Sequence, residues 1–219
     1  MSKKNLTTLY HFVLDRSGSM YGIARATISG FNKQLSTIRE LEEEHEDQTY
    51  LTSLTIFNDH VDHLLDPAPS SQMKMLSHEN YSPEGSTALY AAIGESIVGI
   101  KGHFKKKLKK AKMSVVMVIL TDGWENSSRV YTAEKINEMM EKLRETGLWT
   151  FSILGADVDL SYLRKSIKLR EQEAYQFDKS NINASLAGVS DSLRSYALDK
   201  KLGLIQRSLM IESAKDEDQ

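Results

Sequence analysis

The sequence predicts an α/β protein with a doubly wound, mostly parallel central sheet of about six strands, one antiparallel edge strand, and helices on both faces. Strand-like apolar runs alternate with segments whose apolar residues recur every three or four positions, a pattern typical of a parallel sheet covered on both faces. Residues 115–120 are apolar throughout, as in a strand buried on both faces. The chain has 219 residues, 40% of them hydrophobic, which suffices for one sizeable core.

The first half of the chain predicts three strands and one long helix. Residues 9–14 are rich in aromatic and β-branched side chains, which favour a strand. Residues 23–41 place apolar side chains at three- and four-residue steps, which predicts an amphipathic helix. Alternation over residues 50–57 predicts a second strand, and a tight turn then leads into a short antiparallel partner at 61–65.

The second half begins after residues 66–85, which contain all three prolines and which we interpret as a long ordered loop with one short helix near Met73. The elements predicted after this loop are a helix at 88–100, the strand at 115–120, a helix at 132–144, a strand at 150–154, a helix at 160–167, a short edge strand at 175–177 and a helix at 182–198. We expect one domain over residues 1–219, with its core at about 5–205 and a disordered tail at 212–219.

Composition excludes several functions. The chain has no cysteine, which excludes disulfides, thiolate metal sites, iron–sulfur clusters and cysteine nucleophiles. Its formal net charge of −2 argues against a protein that coats nucleic acid or an anionic membrane. The N-terminal segment is too polar for a signal-peptide core, and no apolar run approaches the ~18 residues that span a bilayer. We therefore expect a cytoplasmic protein with no membrane partner.

Polar residues follow two of the predicted strands at the point where each strand ends. Asp15, Ser17 and Ser19 follow the first strand, Asp122 follows the long apolar strand, and Thr87 ends the proline-containing loop and opens a helix. Ligands of open α/β sheets bind beyond the carboxyl ends of the strands, where the strand order reverses. If the two strands are neighbours there, the two carboxylates lie a few ångströms apart and repel each other unless a cation or proton separates them.

These side chains offer only oxygen ligands. Two carboxylates and three hydroxyls, with no histidine or cysteine, describe a site for a hard cation. The preferred ion is Mg²⁺, with Mn²⁺ or Ca²⁺ as substitutes. Because Mg²⁺ takes six ligands and keeps waters readily, five protein side chains, some of them binding through water, leave at least one position open.

The same five residues resemble the metal-ion-dependent adhesion site of von Willebrand factor type A domains. The matching positions are Asp15, Ser17, Ser19, Thr87 and Asp122. The element order, the edge hairpin and the length resemble a stand-alone, intracellular prokaryotic member of that family over residues 5–205. The resemblance implies that the serines and the threonine bind the metal directly and that the aspartates act mostly through water. It also implies that a carboxylate from a protein partner completes the coordination shell.

The favoured hypothesis is a non-enzymatic, divalent-metal-dependent protein-binding module within an intracellular complex. Residues around the site that are predicted to contact the partner are Tyr21, Glu84, Trp124, Glu125, Asn126 and Arg129. Aromatic and arginine side chains commonly anchor interfaces. The alternative for Trp124 is that it packs over its own loop. The sequence leaves the oligomeric state undetermined.

Two other functions remain open. A Mg²⁺-dependent hydrolase or phosphoryl-transfer enzyme would use the same metal, but the chain lacks the G-x-x-x-x-G-K-[ST], G-x-S-x-G and G-x-G-x-x-G motifs. No histidine in the sequence context of Ser17 or Ser19 would activate either as a nucleophile. The third hypothesis is an accessory subunit of a larger machine, such as a chelatase, stress-response or phosphorelay system.

Structural roles are the alternatives for the individual site residues. The segment from Asp15 to Ser19 has the composition of a turn that caps a helix. Asp122 followed by glycine is typical of a simple turn. Thr87 is a candidate N-cap for the helix that starts at residue 88, and Asp159 a candidate N-cap for the helix at 160.

Of the two charged runs in the chain, the lysine-rich run is interpreted as a solvated surface. Residues 101–112 contain seven lysines, close to a helix end where cations complement the helix dipole. Nucleic-acid binding is disfavoured because Phe104 alone offers a stacking surface. Residues 40–47 contain six acids, and because the dipole disfavours acids at a helix C-terminus, we expect the first helix to end early. Pairing of the opposed runs between copies of the protein is a weaker alternative.

Overall fold

The computed structural model describes residues 6–156, 160–204 and 209. These residues contain a single six-stranded sheet with the strand order β3-β2-β1-β4-β5-β6. The strands are β1 (Leu6–Asp15), β2 (Gln48–Phe57), β3 (Val61–Ala68), β4 (Met113–Thr121), β5 (Trp149–Ala156) and β6 (Ala174–Phe177).

The α-helices of the described residues are α1 (Ala24–Glu44), α2 (Leu89–His103), α3 (Lys105–Lys109), α4 (Ala133–Arg144), α5 (Leu160–Ser166) and α6 (Ile182–Lys201). Short 3-10 turns cover Gly18–Ile23, Ser70–Gln72, Glu171–Glu173 and Lys179–Asn181. The turn at Ser70–Gln72 is the short helix predicted near Met73. Within the described part of the chain, no helix combines the length and apolar character needed to cross a bilayer.

The sheet confirms the predicted fold class. Strand β3 pairs antiparallel with β2, and every other pairing is parallel. Strand β1 lies between β2 and β4, in a register that aligns Leu14 with Ile56 on one side and Leu120 on the other. The strand order therefore reverses between β1 and β4, which places the carboxyl ends of these two strands at the switch point where ligands bind.

Alternate residues of β1 face two separate hydrophobic layers. Tyr10 and Phe12 belong to the layer that includes the buried faces of α1 and α6. Leu9 and Val13 belong to the layer that includes α2, α4 and α5. Both faces of the sheet are covered, and β4 is accordingly buried along its whole length. The packed layers hold the strand ends rigidly, which matters for the site built on them.

The first helix is longer than predicted, because α1 continues to Glu44. The prediction that the acidic run ends it early is wrong. Arg194 on α6 forms ion pairs with Glu40 and Glu44, and the Glu42 carboxylate accepts a hydrogen bond of 2.9 Å from the backbone N–H of Ser70. These partners offset the unfavourable interaction of the acids with the helix dipole.

The lysine-rich run is a solvated surface, as predicted. All seven lysines between residues 101 and 112 are exposed. Phe104 is buried in the core, so its ring is not available to stack on nucleic-acid bases. The predictions for Asp159 and for the tail at 212–219 concern residues outside the described part of the chain.

The buried side chain of His11 is expected to make the stability of the fold depend on pH. Burial, with a smaller contribution from the neighbouring His63, lowers the pKa of His11 to about 3, whereas an exposed histidine has a pKa of about 6.5. Below pH 6.5 the unfolded chain therefore binds a proton that the folded chain does not. We expect the free energy of unfolding to fall by up to about 1.4 kcal/mol per pH unit between pH 6.5 and pH 3 from this residue.

Urea unfolding at pH 7, 6 and 5 measures this dependence. His11→Asn retains a polar partner for Ser53, whose hydroxyl lies 2.7 Å from His11 Nδ1, and should show the shallower slope. The control His78→Asn replaces an exposed histidine and should keep the slope of the original chain. If the free energy of unfolding changes equally with pH in all three proteins, the lowered pKa of His11 is not the cause of the dependence. His63, His103 and Asp66 line the same cavity as His11 and are kept unchanged in each.

Candidate metal centre

The carboxyl ends of β1 and β4 bring the first site residues together. Asp15 is the last residue of β1, and Asp122 directly follows β4. The Ser19 hydroxyl donates a hydrogen bond of 2.6 Å to Asp122 Oδ1, and the hydroxyls of Ser17 and Ser19 lie 3.2 Å apart. Oxygen atoms from two strand ends thus converge on one small region.

Asp15 is held rigidly beneath this region. Its Oδ1 accepts a hydrogen bond of 2.7 Å from the Ser17 backbone N–H, its Oδ2 accepts one of 2.6 Å from the Thr121 hydroxyl, and the Tyr81 hydroxyl donates to its carbonyl oxygen. Burial, aided by the negative charge of Asp122, raises the pKa of the Asp15 carboxyl to about 6, although the hydrogen bonds from Thr121 and Ser17 act in the opposite direction. A cation between the two carboxylates would relieve this unfavourable environment.

Gly123 allows Thr87 to approach the same region. A Cβ at Gly123 would lie 2.7 Å from Thr87 Oγ1 and 3.5 Å from Asp15 Oδ2, so the threonine hydroxyl and this carboxylate oxygen flank the same glycine. Asn126 fixes Thr87 by two hydrogen bonds, because its side-chain oxygen accepts from the Thr87 N–H at 2.9 Å and its own N–H donates to the Thr87 carbonyl at 3.0 Å.

Thr87 does not cap the following helix, so that structural alternative is wrong. The N-cap position of α2 is Ala88, and no side chain from that position makes a capping bond. The first N–H groups of α2 are instead hydrogen-bonded by side chains of the loop that follows β4. Tyr90 N–H donates to Glu125 Oε2 at 2.7 Å, and Ala91 N–H donates to the Ser128 hydroxyl at 2.9 Å. The Thr87 hydroxyl is therefore not used as a helix cap and can serve as a ligand at the proposed metal site.

The proline-containing loop is attached to the end of β1 through its backbone. Gly18 N–H donates to the Gly85 carbonyl at 3.1 Å, and Glu84 N–H donates to the Arg16 carbonyl at 2.8 Å. Gly85 has a φ of +75°, and a Cβ there would lie 2.4 Å from Asp59 Oδ1. Only glycine fits this conformation and this close approach, so the loop that delivers Thr87 depends on it.

The site is buried at its base and open at its mouth. Asp15, Ser17, Thr87 and Asp122 are each at most 9% exposed, whereas Ser19 is exposed. A ligand that approaches from solvent would therefore reach the centre beside Ser19.

The donor set fits a hard divalent cation. Among the residues that the structure describes, no three His, Cys, Asp or Glu side chains cluster as metal ligands, so a metal here depends on three hydroxyls in addition to the two carboxylates. Such neutral and anionic oxygens suit Mg²⁺, Mn²⁺ and Ca²⁺.

A lysine that the sequence reasoning missed lies at the centre. Lys179 Nζ forms an ion pair of 2.6 Å with Asp122 Oδ2. Apart from that ion pair, this carboxylate oxygen has no hydrogen-bond partner within residues 6–156, 160–204 and 209. Thr121 and Tyr81, which orient Asp15, were also missed. The position of Thr121 beside Asp122 offered a signal, but nothing local in the sequence points to Lys179 or Tyr81.

The residues predicted to contact a partner divide into two groups. Tyr21 is 80% exposed and Trp124 is 49% exposed, with the tryptophan ring 5.2 Å from that of Tyr162. The ring contact of Trp124 is thus with α5, a different element from its own loop, and about half of its surface remains accessible. Glu84 and Arg129 are also exposed.

Glu125 and Asn126 have internal roles that the sequence did not predict. Besides Tyr90 N–H, the half-buried Glu125 carboxylate accepts hydrogen bonds from the N–H groups of Ser127 and Ser128 at 2.9 and 2.7 Å. Asn126 is exposed, but its side-chain oxygen is bonded to Thr87. These hydrogen bonds position the loop that carries Gly123, and contact of both side chains with a partner stays a prediction.

Comparison with solved structures gives the fold a name. The chain superposes on the von Willebrand factor domain of the type V pili tip protein Mfa5 from Porphyromonas gingivalis with a TM-score of 0.62, at 12% identity, covering 97% of this chain and 99% of that one. It superposes on the ArnB paralog VWA2 from Sulfolobus acidocaldarius with a TM-score of 0.58, at 16% identity, covering 83% of this chain but only 44% of that one.

A third similar structure contains a metal. Manganese-loaded TRAP protein from Plasmodium vivax matches with a TM-score of 0.55, at 17% identity, over 83% of this chain and 72% of that one. No family model and no curated protein sequence matches the chain. The fold is therefore that of von Willebrand factor type A domains, as the resemblance of the sequence implied.

Proposed function

We propose that this protein is a Mg²⁺-dependent protein-binding module that captures a carboxylate of its partner, with Mn²⁺ or Ca²⁺ as substitutes. The observation that carries the proposal is the convergence of five oxygen-bearing side chains at the switch point between β1 and β4. They are Asp15, Ser17, Ser19, Thr87 and Asp122.

The chemistry of these donors favours binding. Three of the five are neutral hydroxyls, so the bound cation retains enough positive charge to attract a further anionic ligand. The opening beside Ser19 gives that ligand a route, and a carboxylate–cation contact in a partly desolvated site provides both affinity and specificity. The exposed rings of Tyr21 and Trp124 then supply the apolar contacts that commonly anchor an interface.

The similar structures support a divalent ion, since the Plasmodium vivax TRAP protein is described as manganese-loaded. They do not identify a partner for this chain, which spans less than half of the length of the Sulfolobus protein. A cytoplasmic location and membership of an intracellular complex are part of our proposal.

Calorimetric titration with MgCl₂ tests the metal, and reversal by EDTA is expected. The carboxylate requirement is tested by adding the Mg²⁺-loaded protein to two immobilised peptides that differ only by one Glu→Gln exchange. Retention on the glutamate peptide that is lost with EDTA or with glutamine supports the proposal. Equal retention on both peptides, with and without chelator, contradicts it. Co-purification from the native host with and without chelator would then identify the partner.

We also propose that the module is not an enzyme. The hydroxyls of Ser17 and Ser19 contact each other, and that of Ser19 donates to Asp122. A carboxylate partner alone is a weak activator of a serine nucleophile compared with histidine. A phosphatase assay with Mg²⁺ and a generic phosphomonoester is expected to show no turnover. Turnover that Ser19→Ala abolishes would favour the hydrolase alternative instead.

The substitution Gly123→Ala disturbs the proposed metal site without replacing any of its five ligands. The added Cβ would lie 2.7 Å from Thr87 Oγ1, so the threonine hydroxyl must move away from the site. Because a well-oriented ligand contributes strongly to metal affinity, we expect Mg²⁺ binding to weaken by about 10- to 100-fold, the range seen when the orientation of ligands is disturbed.

The matched control is Gly22→Ala, since a Cβ at Gly22 would have no heavy atom within 4 Å. Calorimetry should give this control the affinity of the original chain. An unchanged affinity in Gly123→Ala would show that the Thr87 hydroxyl does not bind the metal.

A further inference from the structure

A side chain of the protein itself already brings positive charge to the proposed metal centre. Lys179 lies in the 3-10 turn Lys179–Asn181 that directly precedes α6. Its ammonium is 2.6 Å from Asp122 Oδ2, with the Asp122 side chain fully buried and the Lys179 side chain 32% exposed. The ammonium therefore reaches the carboxylate from the solvent side.

The backbone that carries Lys179 is fixed, whereas its side chain is long and partly exposed. Asp178 organises the turn, because its Oδ1 accepts a hydrogen bond of 2.7 Å from the Ser180 N–H and its carbonyl accepts one of 2.9 Å from the Asn181 N–H. These hydrogen bonds of the turn do not involve the Lys179 ammonium, so its displacement from Asp122 would leave them intact.

The Lys179 ammonium and a divalent cation would bind the same carboxylate, that of Asp122. Oδ1 is engaged by the Ser19 hydroxyl at 2.6 Å, and Oδ2 by the ammonium, so both oxygens of this proposed ligand are in use. A divalent cation held by the same carboxylate would also repel an ammonium a few ångströms away, and this repulsion is strong where burial lowers the dielectric constant.

We propose that Lys179 sets the metal affinity of the site by competing with the divalent cation for Asp122, and that metal binding releases its ammonium to solvent. The inference rests on the proposed function, because it requires a metal at this centre. After release the ammonium remains within side-chain reach of Asp122, so its positive charge favours an anionic ligand at the centre.

Calorimetry with MgCl₂ on two substitutions tests the competition. Lys179→Met removes the charge and keeps a side chain of similar length, and it should bind Mg²⁺ about tenfold more tightly than the original chain, equivalent to about 1.4 kcal/mol. Lys179→Arg keeps the positive charge and should bind no more tightly than the original chain. The control Lys165→Met removes an exposed lysine of α5 and should leave the affinity unchanged, which separates competition from the general effect of net charge.

Release of the ammonium has a readout that does not depend on affinity. Acylation of the original chain by an amine-reactive reagent, followed by mass spectrometry, should label Lys179 several-fold faster in saturating Mg²⁺ than in EDTA, whereas Lys165 should be labelled equally in both. Labelling of Lys179 that does not change with Mg²⁺ would overturn the release.

The outcomes distinguish this inference from the proposed function. If the original chain binds Mg²⁺ and Lys179→Met binds it with the same affinity, the competition is overturned and the metal site stands. If only Lys179→Met binds Mg²⁺, the competition at Asp122 is supported, but the original chain is not a Mg²⁺-dependent module and the proposed function fails. If neither protein binds Mg²⁺, the proposed metal centre fails and the inference fails with it.

Discussion

Asp122→Asn is expected to reduce the Mg²⁺ affinity by at least about 100-fold, since loss of residues that merely orient metal ligands already costs 10- to 100-fold. Asparagine has the same shape and can still accept the hydrogen bond that the Ser19 hydroxyl donates at 2.6 Å. The substitution therefore removes a negative charge from the centre and keeps the shape of the side chain, and its amide NH2 replaces the oxygen that pairs with the Lys179 ammonium. Calorimetric titration with MgCl₂ measures the effect.

The control is Asp191→Asn, which makes the same change in net charge at an exposed position of α6. It should bind Mg²⁺ like the original chain. Circular dichroism and urea unfolding in EDTA establish that both variants are folded. If Asp122→Asn is folded and keeps the original affinity, Asp122 is not a metal ligand and the centre proposed here is wrong.

Glu173→Gln is expected to destabilise the fold by about 3–5 kcal/mol, the usual cost of breaking a buried ion pair from one side. Glu173 and Arg144 are 1% and 2% exposed. They form two parallel hydrogen bonds, from Arg144 Nε to Oε1 at 2.8 Å and from Nη2 to Oε2 at 2.6 Å. The substitution leaves the guanidinium, which also pairs with Glu141, without its buried counter-charge. Urea unfolding in EDTA measures the loss.

The double variant Arg144→Met/Glu173→Leu should recover much of this stability, because apolar residues of similar volume often replace a buried ion pair without net cost. Glu171→Gln is the control, since it removes an exposed carboxylate two residues away and should change the stability by no more than about 0.5 kcal/mol. A Glu173→Gln protein as stable as this control would contradict the role assigned to the pair.

The elements that the sequence predicted best are those with a strong local pattern. Strand β4 is apolar over residues 115–120 and is found at Met113–Thr121. The helix predicted at 132–144 is found at Ala133–Arg144, with Thr132 as an N-cap that accepts a hydrogen bond from Lys135 N–H. Each of these features depends on residues a few positions apart, so the sequence alone contains the information.

The position of the five proposed ligands was also predictable, because the carboxyl ends of neighbouring parallel strands meet at one edge of a sheet. The antiparallel edge strand β3 and the pairing of β1 with β4 followed the expected topology. That these residues bind a metal remains a prediction.

Features that depend on distant contacts could not be predicted. The length of α1 depends on Arg194, which is 150 or more positions from the glutamates it pairs with. The role of Glu125 depends on the N-terminus of α2, and that of Lys179 depends on a carboxylate that lies in another loop. In each case the partner of a charged side chain is distant in the sequence, so only the tertiary structure shows the pair.

We propose that oxygen atoms from two strand ends and one loop bind a divalent cation at the switch point of the sheet. Anomalous diffraction from crystals grown with MnCl₂ would locate this cation, because Mn²⁺ substitutes at such sites and is identified by its own scattering. We expect a single strong peak at the mouth defined by Ser17, Ser19 and Asp122, about 2–2.3 Å from its direct oxygen ligands. Crystals in which these residues are ordered and no anomalous peak lies among them would contradict the claim.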